Sequence, residues 1–165
     1  MLGIMLVLVY LPILSYAEIL LIESPIHHIG DETLYDLGLF SLKPESEGTE
    51  WSSSPFSLSF PASGTARVIF DCVDTEGSTI LINGNSLGAI PWNSGADIWH
   101  NDLELEFNAS LLSLNNNTIM FRSAQTAPTN YDDILFRNVR LEYVPEPATI
   151  LLLSLGGLVL RKSRR

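Results

Sequence analysis

Leu103-Glu104-Leu105-Glu106-Phe107 alternates apolar and acidic residues without a fault. Successive side chains of a strand point to opposite faces, so this stretch has one dry and one wet face only when extended. A helix would spread the same residues around its whole circumference. The same signal recurs along the chain. Ala66–Cys72, Ser78–Ile82, Thr118–Arg122 and Ile134–Tyr143 are rich in β-branched and aromatic residues, Phe56-Ser57-Leu58-Ser59-Phe60 alternates, and Glu18–Ile22 reads as a first strand. Gly, Pro, Asn and Ser punctuate the intervals. Helical periodicity is weak before residue 144, with at most one turn over Ala109–Leu114. Seven or eight strands without crossover helices predict an all-β fold, an antiparallel jelly-roll β-sandwich.

Turn chemistry agrees. Asn83-Gly84 is the favoured pair for a two-residue type I′ hairpin, flanked here by Ile80–Ile82 and Leu87–Ile90. The overlapping Gly84-Asn85-Ser86-Leu87-Gly88 matches the spacing of a hydrolase nucleophile elbow. That motif needs a helix starting at its serine, and Pro91 follows too soon. The match is chance. Residues 33–54, with Lys43-Pro44 and Glu45-Ser46-Glu47-Gly48-Thr49-Glu50, read as a long surface loop carrying one short strand at Gly38–Leu42.

Charge narrows the function. Glu18–Val144 carries 18 Asp or Glu against 5 Lys or Arg. Such a surface repels phosphate backbones, so no nucleic-acid partner is expected. Cys72 is the only cysteine, which excludes an intrachain disulfide and leaves burial to hold the core.

Both ends are apolar. Residues 1–17, ending Ser15-Tyr16-Ala17, place small residues three and one before Glu18, as a signal peptidase requires. No Lys or Arg precedes the apolar run, which is atypical of a signal helix; a buried first strand is the other reading. At the far end, Ala148–Leu160 is an apolar run of 13 residues. As a helix it reaches about 20 Å, short of a hydrocarbon core of roughly 30 Å. Pro145, Glu146 and Pro147 block its extension. It is a marginal span, suited to a temporary hold. The basic cluster Arg161, Lys162, Arg164 and Arg165 should stay cytoplasmic, placing everything before Val144 outside. That agrees with the N-terminal signal. The chain therefore divides into a signal helix (1–17), a sandwich domain (18–143) and a tail (144–165) of motif 145–147, short transmembrane helix 148–160 and basic end 161–165.

The order Val144-Pro145-Glu146-Pro147, short apolar helix with Gly156-Gly157, basic cluster resembles the PEP-CTERM sorting tail. The resemblance implies that an exosortase, a membrane peptidase, recognises Pro145, Glu146 and Pro147. Cleavage near that motif would release the protein to the envelope or beyond, in bacteria that make exopolysaccharide. An ordinary short membrane anchor is the plainer alternative. Separately, Thr79–Pro91, Leu112–Phe121 and Asn130–Tyr143 resemble, in their turn and strand signals, the galactose-binding-like jelly roll of carbohydrate-binding modules. They depart from it at Asn115–Asn117, where a glycine would be expected.

That second resemblance directs attention to aromatic residues on loops, because sugar faces stack on rings while hydroxyls bond to Asn, Asp or Arg. Trp92 and Trp99 flank a loop containing Asn93 and Asp97, and these four are the expected ligand residues; Trp51 sits in the long loop. The bland reading is that each Trp plugs an end of the sandwich. Asp71, Asp74 and Glu76 cluster at a strand end. Asp132 and Asp133 are the expected seat of a structural Ca²⁺, the only cofactor considered. His27-His28, at adjacent positions, point apart in a regular element and offer no zinc site. The expected function is an exported, non-catalytic protein that binds envelope or matrix polysaccharide. A structural matrix protein without a discrete ligand is the alternative. A small secreted glycoside hydrolase would need two carboxylates across a cleft, whereas Glu104 and Glu106 read as solvent-facing decoration.

Overall fold

The computed structural model describes residues 17–31, 44–74, 77–91 and 98–145. Among them lie strands β1 (Glu18–Glu23), β2 (His27–Ile29), β3 (Glu50–Ser52), β4 (Ala62–Val73), β5 (Thr79–Ile82), β6 (Asn85–Ala89), β7 (His100–Asn108), β8 (Ile119–Arg122), β9 (Gln125–Ala127), β10 (Asn130–Tyr131) and β11 (Ile134–Pro145). One 3₁₀ turn, Ala109–Leu111, is capped by Asn108, whose side chain accepts from the Ser110 N–H. Every pairing is antiparallel. The first sheet runs β1-β11-β4-β7, with β2 beside the early part of β11; the second runs β3-β8-β5-β6. Short β9 and β10 form a separate ribbon. The two sheets share one core, so the fold is all-β and sandwich-like.

Alternation decides which side chains enter that core. Val68, Phe70, Leu141 and Phe107 of the first sheet meet Ile80, Ile82, Ile119 and Phe121 of the second. An aromatic cluster bridges the two. Phe136 of β11 stacks on Phe121 of β8 with ring centroids 4.0 Å apart and planes 4° apart. Trp51 of β3 lies edge-on to both, and His27 stacks on Phe136 at 5.3 Å. Such pairs add about 0.5–1.5 kcal/mol each beyond buried area. Cys72 is fully buried, and burial, with the charges of Asp71 and Asp74, pushes its thiol up to about 12. It is a core residue and not a reactive one.

The hairpin expected at Asn83-Gly84 is present, with Ile82 paired to Asn85 and φ of 50° and 79° at the two loop residues. Asn83 also ties the turn to its neighbour, accepting from the Thr118 N–H and donating to the Leu111 carbonyl. Ser86 is exposed and its hydroxyl accepts from the Gly88 N–H within β6. Two expectations need correction. Phe56–Phe60 is not a strand: it lies between Pro55 and Pro61 and makes a single bridge, Phe56 to Asn117, while Phe60 is left exposed. Nor is the second half of the 33–54 segment a solvated loop. Residues 44–48 strap β2 through Glu47 N–H to the His28 carbonyl and Gly30 N–H to the Gly48 carbonyl, and Trp51 is core. Its flanks of Glu, Ser, Gly and Pro mask a three-residue strand too short to show a period. The strand expected at Gly38–Leu42 lies outside the described residues.

Candidate functional site

The outer face of the first sheet is where the chain departs most from regular structure. Asp71 sits on the central strand β4, and both neighbouring strands bulge beside it. On β11 the register shifts between Arg137 and Arg140; on β7 it shifts opposite Phe70–Cys72. Each bulge holds an Asx residue in the left-handed region, Asn138 at φ 53° and Asp102 at φ 55°. Asp71 holds both. Its Oδ2 accepts from Asn138 Nδ2 at 2.7 Å and from Arg137 Nε at 3.2 Å, and its Oδ1 accepts from the Asp102 N–H at 3.1 Å. Residues kept in sparsely populated conformations cost about 1–3 kcal/mol each, and persist where surroundings over-determine them.

The bulges open a concavity of about 450 Å³ lined by Leu21, Asp71, Asn101, Asp102, Asn138 and Arg140, within the range of small-molecule clefts, about 300–1,000 Å³. Arg140 pairs with Asp102 across it. Arg137, bonded to Asp71, holds its guanidinium 4.0 Å over the ring of Trp99, which packs on Val73 and Leu135. Arg137 thus joins Trp99 to Asp71.

Asp71 is only 5% exposed. Burial alone would raise its pKa, but the hydrogen bonds from Asn138, the Asp102 N–H and Arg137, with the charge of Arg137, hold it below its ordinary 3.8. A depressed carboxyl contributes stability that is present above the ordinary value and is lost as pH falls through the folded-state value. The stability gap between wild type and Asp71→Asn, followed by urea unfolding from pH 6 to pH 2, should therefore shrink toward the acid end. A constant gap would show that Asp71 binds its proton equally well folded and unfolded.

Of the residues expected to bind a ligand, Trp99 does not line this concavity and connects to it only through Arg137; Trp92, Asn93 and Asp97 lie outside the described residues. Asp102, Asn138, Arg140 and Arg137 went unrecognised in the sequence. One signal was available: Phe136 and Val139 both face inward three positions apart, which a period of two forbids unless a residue bulges. Asn138 is that residue.

Asp132 and Asp133 are buried at the start of β11. Asp133 Oδ1 lies 3.0 Å from His28 Nε2, with both side chains fully buried. His28 Nδ1 lies 2.9 Å from the Pro44 carbonyl. A carbonyl oxygen only accepts, so Nδ1 donates to it, and Nε2 faces the carboxylate. Gly30 makes room for this: a Cβ there would lie 1.9 Å from Asp133 Oδ1. Among the described residues, no group of three or more His, Cys, Asp or Glu side chains is arranged to hold a metal ion. Glu104 and Glu106 flank Arg67 at 3.5 and 3.0 Å on the open face of the first sheet.

At the end of β11, Pro145 is the last described residue. Glu146, Pro147, Arg161, Lys162, Arg164 and Arg165 lie beyond it, and among the described residues no helix is long and apolar enough to cross a membrane. The fold thus defines an all-β protein of antiparallel sheets. Its class of destination comes from the tail: residues 144–165 match the PEP-CTERM protein-sorting motif. The motif marks the chain as an exported, envelope-directed protein and implies recognition by an exosortase. No curated protein matches the chain. Among solved structures, it is similar to a β-porphyranase of glycoside hydrolase family 86 from the human gut bacterium Bacteroides plebeius. That alignment has a TM-score of 0.45 and 15% identity, and covers 78% of this chain and 20% of the enzyme. The chain therefore spans about a fifth of that enzyme's length.

Proposed function

We propose that this chain is a non-catalytic, exported sandwich domain of the jelly-roll kind. A signal peptidase and an exosortase process it in turn, the apolar tail holds it briefly in the inner membrane, and the freed domain binds exopolysaccharide. The observation that carries the reading is the sorting motif at residues 144–165, attached directly to the last strand of a folded acidic domain. Intact mass of the protein recovered from envelope and medium tests it. The expected species starts at Glu18 and ends near Pro145–Pro147; a full-length chain, Met1 to Arg165, in the cytosol would refute it.

Polysaccharide binding is assigned to the concavity lined by Leu21, Asn101, Asp102, Asn138 and Arg140. It combines an aliphatic surface, Leu21, with amide, carboxylate and guanidinium groups, the mixture that sugar hydroxyls require. The acid–base pair His28–Asp133 is closed to solvent, and Glu104 and Glu106 are engaged by Arg67; both facts favour binding over hydrolysis. In co-sedimentation with the producer's own exopolysaccharide, Asn101→Ala and Arg140→Ala should each weaken binding about tenfold while circular dichroism stays native. Unaltered binding in both variants would leave a purely structural role.

A further inference from the structure

The sorting motif begins inside the folded sheet. Val144 pairs with Ser63 and Pro145 with Ala62, extending β11 past its partnership with β1, which ends at Glu18 opposite Tyr143. These two rungs are set apart. The register shifts between Tyr143 and Val144, because Gly64 and Thr65 bulge from β4 with Gly64 at φ 73°. Among the described residues, β4 is the only strand paired with Val144 and Pro145, and Pro145 has no N–H to give to a ladder. Val144 also borders a concavity of about 460 Å³ with Ser63, Gly64, Thr65 and Glu142, so among the described residues no further layer covers this end.

Just inside the bulge the chain is fastened. Tyr143 is 1% exposed and its hydroxyl donates to Glu18 Oε2 at 2.6 Å, while Glu18 Oε1 accepts from the Ser59 hydroxyl at 2.8 Å. Burial, then the hydrogen bond and charge of Glu18, raise the pKa of Tyr143, so the phenol keeps its proton and remains a donor. The clamp therefore joins the residue after the expected signal-peptide cut to the residue before the sorting motif. It also puts both processing points at one end of the first sheet.

Reach makes the arrangement consequential. From Pro145 to Ala148, where the apolar run starts, is three residues, at most about 10 Å of extended chain. A peptidase at the membrane surface that must grip extended chain around Pro145–Pro147 finds its substrate still hydrogen-bonded into a sheet.

Resting on the sorting reading above, we infer that release of Val144 and Pro145 from β4 gates tail cleavage. The Gly64 bulge sets the limit of unzipping and the Tyr143–Glu18 clamp serves as its stop. The fold thereby meters its own release from the membrane.

Pulse–chase of the full chain in a host that makes an exosortase tests this. Ser63→Cys with Val144→Cys places two thiols on directly paired residues. The oxidised variant should be cut at least tenfold more slowly than wild type, and reductant added to isolated membranes should restore the rate. Inserting Gly-Ser-Gly-Ser between Tyr143 and Val144 leaves residues 144–165 intact but moves them off the sheet; cleavage should then be at least threefold faster. A disulfide-locked chain cut at the wild-type rate, or a spacer chain cut no faster, overturns the gate while leaving the sorting reading in place. Failure of the wild-type chain to be cut at all overturns both.

Discussion

Replacing His28 by Ala should destabilise the fold by about 3–5 kcal/mol, the usual cost of breaking a buried pair by removing one partner. On thermal unfolding this is a fall of roughly 10–20 °C for a domain of this size. The physical reason is geometric. His28 reaches two oxygens at once, the Pro44 carbonyl and Asp133 Oδ1, and the His28 and Asp133 side chains are both closed to water that would replace a lost partner. It adds a side-chain link among three chain segments: strand β2, the strap at residues 44–48 and the entrance to β11. Asp133→Ala should cost a similar amount. The double variant should cost clearly less than the sum of the two, because the second removal no longer strands a polar group. Urea unfolding of the four proteins measures this. Additive losses would mean that the two side chains act independently, against the 3.0 Å contact.

Trp51→Ala should cost about 3–5 kcal/mol as well, for a different reason. The indole is 8% exposed and sits between the sheets, against His27 at 4.6 Å, Phe136 at 5.2 Å and Phe121 at 6.0 Å. Its removal leaves a void bordered by the stacked rings of both sheets. Trp51→Phe should recover more than half of the loss, since a smaller ring keeps part of the edge-on contact. Polysaccharide binding by the folded fraction of either variant should match wild type, because Trp51 lies in the core and not on the outer face with Trp99. Reduced binding with full stability would place Trp51 on a ligand surface.

These two sites mark where sequence reasoning stopped. Strict alternation in Leu103–Phe107 names β7 and its dry face, because a period of two leaves no other way to bury one set of side chains. Asn83-Gly84 names a hairpin because left-handed backbone at two successive positions is affordable mainly to Asn and Gly. Trp51 defeats the same logic. Its strand is three residues long, and a single inward side chain between polar neighbours has no period. The pairing of His28 with Asp133 spans 105 residues, and adjacent histidines carry no mark of which acceptor each will find. His27 and His28 do point to opposite faces, as adjacent strand residues must: one enters the aromatic core and the other the buried polar pair.

The concavity around Asp71 was legible only in part. In the sequence Asp71 reads as one of a strand-end cluster, and Trp99 as a ring near a loop. Their connection through Arg137, and the two left-handed residues that widen the sheet around Asp71, required neighbouring strands to be laid side by side.

What local chemistry determines, this sequence states openly: strand period, turn residues, acidic surface, and a tail of Pro-Glu-Pro, short apolar run and basic end, each readable within a few residues. Which strands become neighbours was decided by tertiary structure alone. Burial rewards any arrangement that hides the same apolar faces, and only the assembled sheets select the one in which Asp71 reaches Asn138, His28 reaches Asp133, and the sorting motif starts as the last rungs of β11.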